Sequence, residues 1–316
     1  MTEPALRAAV ERLPSAMRRI AGYHLGWWNA DGAATPGAGG KSVRAALVLL
    51  SAEAAGGDAA AAVDAAAAVE LVHNFSLLHD DIMDGDVTRR HRPAAWSVFG
   101  VPNAILAGDA MLALAVDVIA QAPQAVRRLM RCVVELCEGQ SADVAFESRA
   151  EVSLEECMAM ARGKTGALLG CACALGALSV GAHRKTVTGF DGFGRALGLA
   201  FQLVDDLLGI WGDPAVTGKP VHADLSARKK SLPVVAALTA ANSAGRTFAL
   251  RYTADEPLHA DELPHLAELI ETTGARRWAN RQAEHHMRVA THTLNSTTRS
   301  TQALVTLAHF ITRRDR

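Results

Sequence analysis

Aromatic residues are scarce in this chain, at 5% of 316 residues, although hydrophobic residues make up 50%. The apolar half is carried by Ala, Leu and Val, which favours helices over sheet. Net charge is also lacking: the formal value is -1. No global field draws the protein to nucleic acid or to an anionic membrane, so any polyanion site must be a local basic cluster. Cysteine is limited to Cys132, Cys137, Cys157, Cys171 and Cys173, an odd set without CxxC spacing. That argues against a disulfide framework or a zinc site and for buried, reduced thiols in a cytoplasmic protein. Arg7, Glu11 and Arg12 interrupt any signal-peptide pattern. No run approaches the roughly 18–20 uninterrupted apolar residues of a membrane span.

Alternating strands, a GxGxxG loop, a short-period repeat and a long polar linker are all missing. What remains is a succession of helical patterns, predicted over 3–30, over 45–56 after an opening at Lys41–Arg44, and over 58–84, 103–121, 124–146, 153–182 and 186–211. Further patterns cover 233–242, 246–254, 260–272, 275–295 and 299–312. The expectation is one all-α domain over residues 1–316, a helical bundle.

Two stretches carry chemistry. In residues 69–99 an apolar helix runs into Asp80, Asp81 and Asp84, with Arg89, Arg90 and Arg92 beyond. Positions i and i+4 share a helix face, so Asp80 and Asp84 point the same way. Neighbouring carboxylates repel, and a hard divalent cation is the natural offset. Arginines nearby suit a phosphate-bearing ligand. In residues 201–235 a second pair, Asp205 and Asp206, again ends an apolar helical stretch. An oxygen-only ligand set of this kind suits Mg²⁺, which bridges carboxylates to substrate phosphates.

From Gly39 to Lys230 the chain resembles the trans-isoprenyl diphosphate synthases, or polyprenyl synthetases, and carries their motifs in order. Gly39-Gly40-Lys41-Ser42-Val43-Arg44 resembles GGKxxRP, with Ala45 where proline is usual. His73 follows, then Asp80–Asp84 as the first DDxxD, with Arg89-Arg90. Glu138-Gly139-Gln140 with Asp143 resembles EGQxxD, and Lys164-Thr165 the family's Lys-Thr. Phe201-Gln202 with Asp205-Asp206 resembles FQxxDD, followed by Gly218-Lys219 and Lys229.

The resemblance implies an isoprenoid-synthase-type bundle around a central cavity, working as a homodimer. It implies head-to-tail condensation of isopentenyl diphosphate with an allylic diphosphate (dimethylallyl, geranyl or farnesyl), with three Mg²⁺ ions. By matching position, Asp80, Asp84 and Asp205 are metal ligands, and Asp81 and Asp206 complete the acidic clusters, Asp81 being counted with the metal set. Lys164, Arg89, Gln202, Lys219 and Lys229 serve the allylic diphosphate, and Thr165 helps screen the allylic cation. Lys41, Arg44, His73 and Arg90 form a metal-free pocket for isopentenyl diphosphate. From the residues alone, Lys41 and Arg44 also fit a charged helix start, and His73 a core histidine.

Gly209 stands where the second motif's third aspartate is usual; Asp213 either replaces that charge or caps the turn before Pro214. Four residues back along the helix is about 6 Å and about 40° of rotation, which puts Ser76 under Asp80 and Phe75 to the side. A small residue with one neighbouring aromatic resembles the geranylgeranyl-forming type, with farnesyl diphosphate the next choice. A terpene cyclase on the same scaffold and a non-catalytic partner subunit are the competing functions. The second diphosphate pocket speaks against the first, and the intact first acidic motif against the second.

Overall fold

The computed structural model describes residues 1–35, 42–214, 220–298 and 300–313. Lys41 and Lys219 fall outside the described residues, as do Gly39, Gly40 and Gly218. Helices dominate. They are α1 (Thr2–Glu11), α2 (Ser15–His24), α3 (Val43–Ala54) and α4 (Val63–Met83), the last entered through a 3₁₀ turn at Ala59–Ala62. A two-residue hairpin, β1 (Thr88–Arg89) with β2 (Arg92–Pro93), precedes α5 (Ala95–Phe99), α6 (Val101–Val118) and α7 (Pro123–Ser148). Then come α8 (Leu154–Ala161), α9 (Ala167–Ser179), α10 (Arg184–Trp211), α11 (Ala223–Ser226) and α12 (Leu232–Leu238). The chain closes with α13 (Ser243–Tyr252), α14 (Leu263–Thr273), α15 (Ala275–Asn295) and α16 (Gln302–Thr312).

The predicted helix over 3–30 is two helices. Pro14 is the N-cap of α2, and proline cannot continue α1 through its missing N–H and ring clash. The predicted helix over 153–182 is also broken. Ser153 and Glu156 form a capping box that starts α8, and Arg162–Gly166 then widens into a π turn before α9. Gly56, at φ 92°, ends α3 in the left-handed conformation that favours glycine.

The chain divides into two compact units. The first comprises Met1–Val134, Leu168–Asp191 and Leu294–Leu304. Its core helix is α4, whose alanine-rich start and Val69, Leu71, Val72 and Leu78 are all buried. Small residues let helices close in: a Cβ on Gly176 of α9 would lie 2.1 Å from the Val48 carbonyl of α3. The second unit comprises Glu135–Ala167, Gly192–Thr293 and Val305–Arg316. Phe146, Cys157, Leu199, Leu203, Leu232 and Val235 form one of its apolar clusters, and Ile210, Phe248, Leu266 and Ile270 belong to another.

Two helical stretches, Ala59–Met83 and Val101–Val118, are long and apolar enough by length and composition alone to cross a membrane. Neither is uninterrupted, since Asp64 and Glu70 fall in one and Asp109 and Asp117 in the other. The first is a core element, 72% buried over its apolar window, whereas the second is 33% buried. All five cysteines are free thiols, four of them buried.

Candidate active site

The first acidic cluster ends α4. The Asp84 N–H donates to the Asp80 carbonyl at 2.8 Å, so helical geometry persists and the two side chains share a face. Asp80 is half-buried and Asp84 exposed. Asp81, one residue and about 100° around the helix, is 1% exposed and taken by Arg89, whose Nε donates to Oδ1 at 2.8 Å with a second bond from Nη2. Burial pushes the Asp81 carboxyl up, against the pull of Arg89. Asp81, counted with the metal set from its motif position, is thus paired with Arg89 inside the protein, while Asp80 and Asp84 share the neighbouring helix face.

The hairpin after α4 sets the arginines. Arg89 pairs with Arg92 across Arg90 (φ 53°) and His91 (φ 60°), a turn with both central residues left-handed. That conformation costs roughly 1–2 kcal/mol at a non-glycine residue, so the surrounding contacts must hold it. Arg92 supplies some of them. Its Nη2 donates to the Trp28 carbonyl at 3.0 Å, and its guanidinium lies 4.5 Å from the Tyr23 ring centre. Tyr23 in turn donates its hydroxyl to the Pro93 carbonyl at 2.8 Å. Arg92 is therefore an anchor. The charge of Arg90 acts on His24, Glu70 and His73.

Arg44 and His73 are brought together, with Arg44 Nη1 3.0 Å from His73 Nε2. Arginine only donates, so this nitrogen accepts and the imidazole proton resides on Nδ1. Burial, then the charges of Arg44 and Arg90, hold the His73 pKa well below the usual histidine value. The imidazole is neutral and orients Arg44. Glu70, missed from sequence, completes this network. Its Oε1 accepts from the Ala45 N–H at 3.0 Å, in the first turn of α3. A proline at 45, usual in the motif, has no N–H to give.

In the second unit the residues meet around the π turn. A Cβ on Gly139 would lie 2.2 Å from the Lys164 nitrogen, and one on Gly198 would lie 2.6 Å from the Gly166 Cα. Glycine at 139 and 198 therefore lets α7 and α10 close on the turn. π turns of this kind recur at functional sites. Lys164 Nζ donates to Asp143 Oδ2 at 2.6 Å. Thr165 Oγ1 donates to Gln202 Oε1 at 2.6 Å, and Gln202 Nε2 donates to Asp206 Oδ1 at 2.7 Å. The other Asp206 oxygen accepts from the Leu232 N–H at 2.9 Å, capping α12. Burial pushes the Asp206 carboxyl up to about 7, against the pull of Lys229 and these hydrogen bonds. Burial alone would depress Lys229, but Asp224, Asp206, Asp143 and Asp205 outweigh it and hold the ammonium charged.

Asp205 is exposed beside the buried Asp206. Both pairs thus follow one rule: the first aspartate faces outward and the second is spent inside the protein. Another carboxylate, that of Asp224, stands at the place of the missing third aspartate. A Cβ on Gly209 would lie 2.2 Å from Asp224 Oδ2. The carboxylate in that place comes from α11, which sequence reasoning missed. Its backbone is shaped by His222 (φ 64°) and Arg228 (φ 50°) and by the Lys229 N–H donating to the Asp224 carbonyl at 2.9 Å.

Among the described residues no three His, Cys, Asp or Glu side chains form a ready metal cage. Outward carboxylates with only oxygen donors fit Mg²⁺, which keeps waters and shares substrate phosphates rather than occupying an all-protein cage. On the Asp80 helix, Phe75 is buried with its ring 4.9 Å from that of His79. His79 is wedged against Gly108 of α6, where a Cβ would lie 2.3 Å from Nε2. Ser76 is buried and donates to the His73 carbonyl at 2.8 Å.

The polyprenyl synthetase family matches residues 30–270. A geranylgeranyl diphosphate synthase of Mycobacterium tuberculosis (strain ATCC 25618 / H37Rv) is 47% identical, over 99% of this chain and 91% of its own. A (2E,6E)-farnesyl diphosphate synthase of the same strain is 48% identical, over 90% and 81%. The crystal structure of a polyprenyl synthetase from Streptomyces coelicolor A3(2) superposes with a TM-score of 0.94 at 46% identity, covering 98% of this chain and 96% of that one.

Proposed function

The chain belongs to the polyprenyl synthetase family, and from that premise we propose geranylgeranyl diphosphate as its product. It is a prenyltransferase that elongates prenyl chains. Its relatives leave the product open, since similar identities link it to a geranylgeranyl and to a farnesyl synthase. Ser76 supports the longer one: it is the small residue one turn below Asp80, while the aromatic Phe75 is turned onto His79.

The substrates are isopentenyl diphosphate and an allylic diphosphate. The observation that carries the site assignment is the shared rule of the two pairs, in which Asp80 and Asp205 face outward and Asp81 and Asp206 are buried. Asp80 and Asp84 in one cluster and Asp205 in the other offer carboxylates to Mg²⁺, three ions by family resemblance. Bound Mg²⁺ supplies positive charge to the allylic diphosphate as it leaves. Lys164 and Lys229, with Arg89 and Lys219, hold that diphosphate by charge-assisted hydrogen bonds. Thr165 and Gln202 present oxygens to the allylic cation. Arg44 and Arg90, with Lys41, hold isopentenyl diphosphate without metal, and His73 orients Arg44. The isopentenyl double bond attacks C1 of the allylic cation, and the departed diphosphate takes the proton released. Removing a preorganised charge-stabilising group of this kind costs about 10²–10³ in kcat. Asp80→Asn and Asp205→Asn are each expected to show at least that loss; full activity in either variant removes its cluster from the reaction.

We also infer a homodimer and a cytoplasmic setting. Val101, Ile105 and Leu106 of α6 are exposed at 39%, 39% and 54%, an apolar face that a second copy would cover. Five free thiols suit a reducing compartment.

A further inference from the structure

Asp143 stands on α7 one helical turn beyond Gly139, so the two share a face. Each meets the same residue. Gly139 admits the Lys164 backbone, where a Cβ would lie 2.2 Å from the nitrogen, and Asp143 Oδ2 accepts from Lys164 Nζ at 2.6 Å. One helix face thus fixes Lys164 at both ends. The same end of α7 anchors the segment that carries Lys229, since Lys230 Nζ donates to the Phe146 carbonyl at 2.6 Å.

The Lys164–Asp143 contact is sheltered, with the two side chains 21% and 14% exposed. Solvent and salt screen such a pair less than one on the open surface. Lysine is a compact charge on a flexible four-carbon stem, and a carboxylate at its tip removes that freedom before a substrate arrives. An ammonium carries three N–H donors. Asp143 uses one of them, and two remain for diphosphate oxygens. The charge of Asp143 also acts on Lys229, but Asp224 and Asp206 act there more strongly, so Lys229 keeps its charge without it.

A carboxylate does not draw in an anion. Its negative charge works against ground-state binding of a diphosphate. What Asp143 supplies is direction, and a donor fixed in direction counts most as charge builds on a departing group. We propose that Asp143 is a positioning residue for chain elongation, holding the Lys164 ammonium in line for the allylic diphosphate as that group departs. This rests on the assignment of Lys164 to the allylic diphosphate. It gives the motif Glu138-Gly139-Gln140 with Asp143 a part in the reaction beyond helix packing.

The test is a double-mutant cycle on the full chain with Mg²⁺, isopentenyl diphosphate and geranyl diphosphate. Wild type, Asp143→Ala, Lys164→Ala and the double variant are compared for kcat and both KM values, with melting curves to confirm folding. Asp143→Ala is expected to lower kcat about tenfold, the scale of one hydrogen bond to a charged group, while the allylic KM stays the same or falls. In the Lys164→Ala background the same substitution is expected to change kcat by less than about twofold, because Asp143 acts through Lys164. Equal kcat losses in the two backgrounds, or a rise in both KM values with kcat retained, overturn the inference. If Asp143→Ala does not fold, the isosteric Asp143→Asn runs the same cycle. A crystal structure of the wild type with Mg²⁺ and inorganic pyrophosphate gives an independent reading. Lys164 Nζ is expected to bridge Asp143 and a phosphate oxygen, and Lys164 on the pyrophosphate but detached from Asp143 overturns the inference. Full kcat in folded Lys164→Ala removes Lys164 from the reaction, and then the assignment beneath the inference fails instead.

Discussion

The Asp224 carboxylate occupies the space that a side chain at Gly209 would need, with Oδ2 2.2 Å from an ideal Cβ there. Gly209 and Asp224 are therefore a complementary pair. The glycine that looks like a lost aspartate makes room for an aspartate arriving from α11. The same carboxylate leads the charges that keep Lys229 protonated.

Restoring the usual motif residue should thus do harm. Gly209→Asp is expected to destabilise the protein by about 1–3 kcal/mol, the usual range for overpacking, and to lower kcat/KM for the allylic substrate. Gly209→Asp with Asp224→Ala should recover much of both. Denaturant titrations and steady-state kinetics on both variants check this; a single Gly209→Asp variant with tighter Mg²⁺ dependence and unchanged stability would contradict it.

Ala45 departs from the motif in an equally purposeful way. Its N–H satisfies the buried Glu70 carboxylate, and Ala45→Pro deletes that donor. Leaving the acceptor unsatisfied is expected to cost about 1–3 kcal/mol. Ala45→Gly, which keeps the N–H, should cost no more than about 1 kcal/mol. Chemical denaturation of the two variants side by side separates the hydrogen bond from mere side-chain change.

Ser76→Phe places an aromatic ring one turn below Asp80. The product should shorten from twenty carbons to fifteen, read by chromatography of the dephosphorylated alcohols. An unchanged product would remove Ser76 from the control of chain length.

The buried histidines give stability a pH dependence of known sign. His24 titrates near 3 when folded and near 6.5 when unfolded, so between those values the unfolded chain binds the extra proton. Its contribution is complete above about pH 6.5 and lost as pH falls toward 3, at up to about 1.4 kcal/mol per pH unit. His73, shifted in the same direction, adds to this. Urea denaturation at pH 7.5 and 5.5 should show a larger loss in wild type than in His24→Gln; equal losses would contradict it.

Much of this was legible in the sequence because the signals were local. Helix periodicity gave the all-α class, and i, i+4 spacing put Asp80 and Asp84 on one face. The motif order gave Arg44, His73, Lys164, Thr165 and Gln202, and the structure places Arg44 against His73 and Thr165 against Gln202. What sequence missed depends on contacts between distant segments. Asp81 looks like its neighbours until Arg89 takes it. His24 lies in an N-terminal helix with no motif of its own, and only burial beside the hairpin shifts its titration. The π turn at 162–166 is invisible to a 3.6-residue period, although the glycines at 139, 163, 166 and 198 were a readable sign of close packing. The departures Ala45 and Gly209 were the strongest unused signals, since each marks a partner, Glu70 or Asp224, elsewhere in the chain.

The central claim is elongation with isopentenyl diphosphate as the second substrate. Its most direct test is incubation of the protein with Mg²⁺, labelled isopentenyl diphosphate and, separately, dimethylallyl, geranyl and farnesyl diphosphates, followed by product sizing. The account predicts that isopentenyl diphosphate is consumed and that geranylgeranyl diphosphate accumulates as the main product. No consumption with any of the three primers, or cyclised hydrocarbon made without isopentenyl diphosphate, would contradict it.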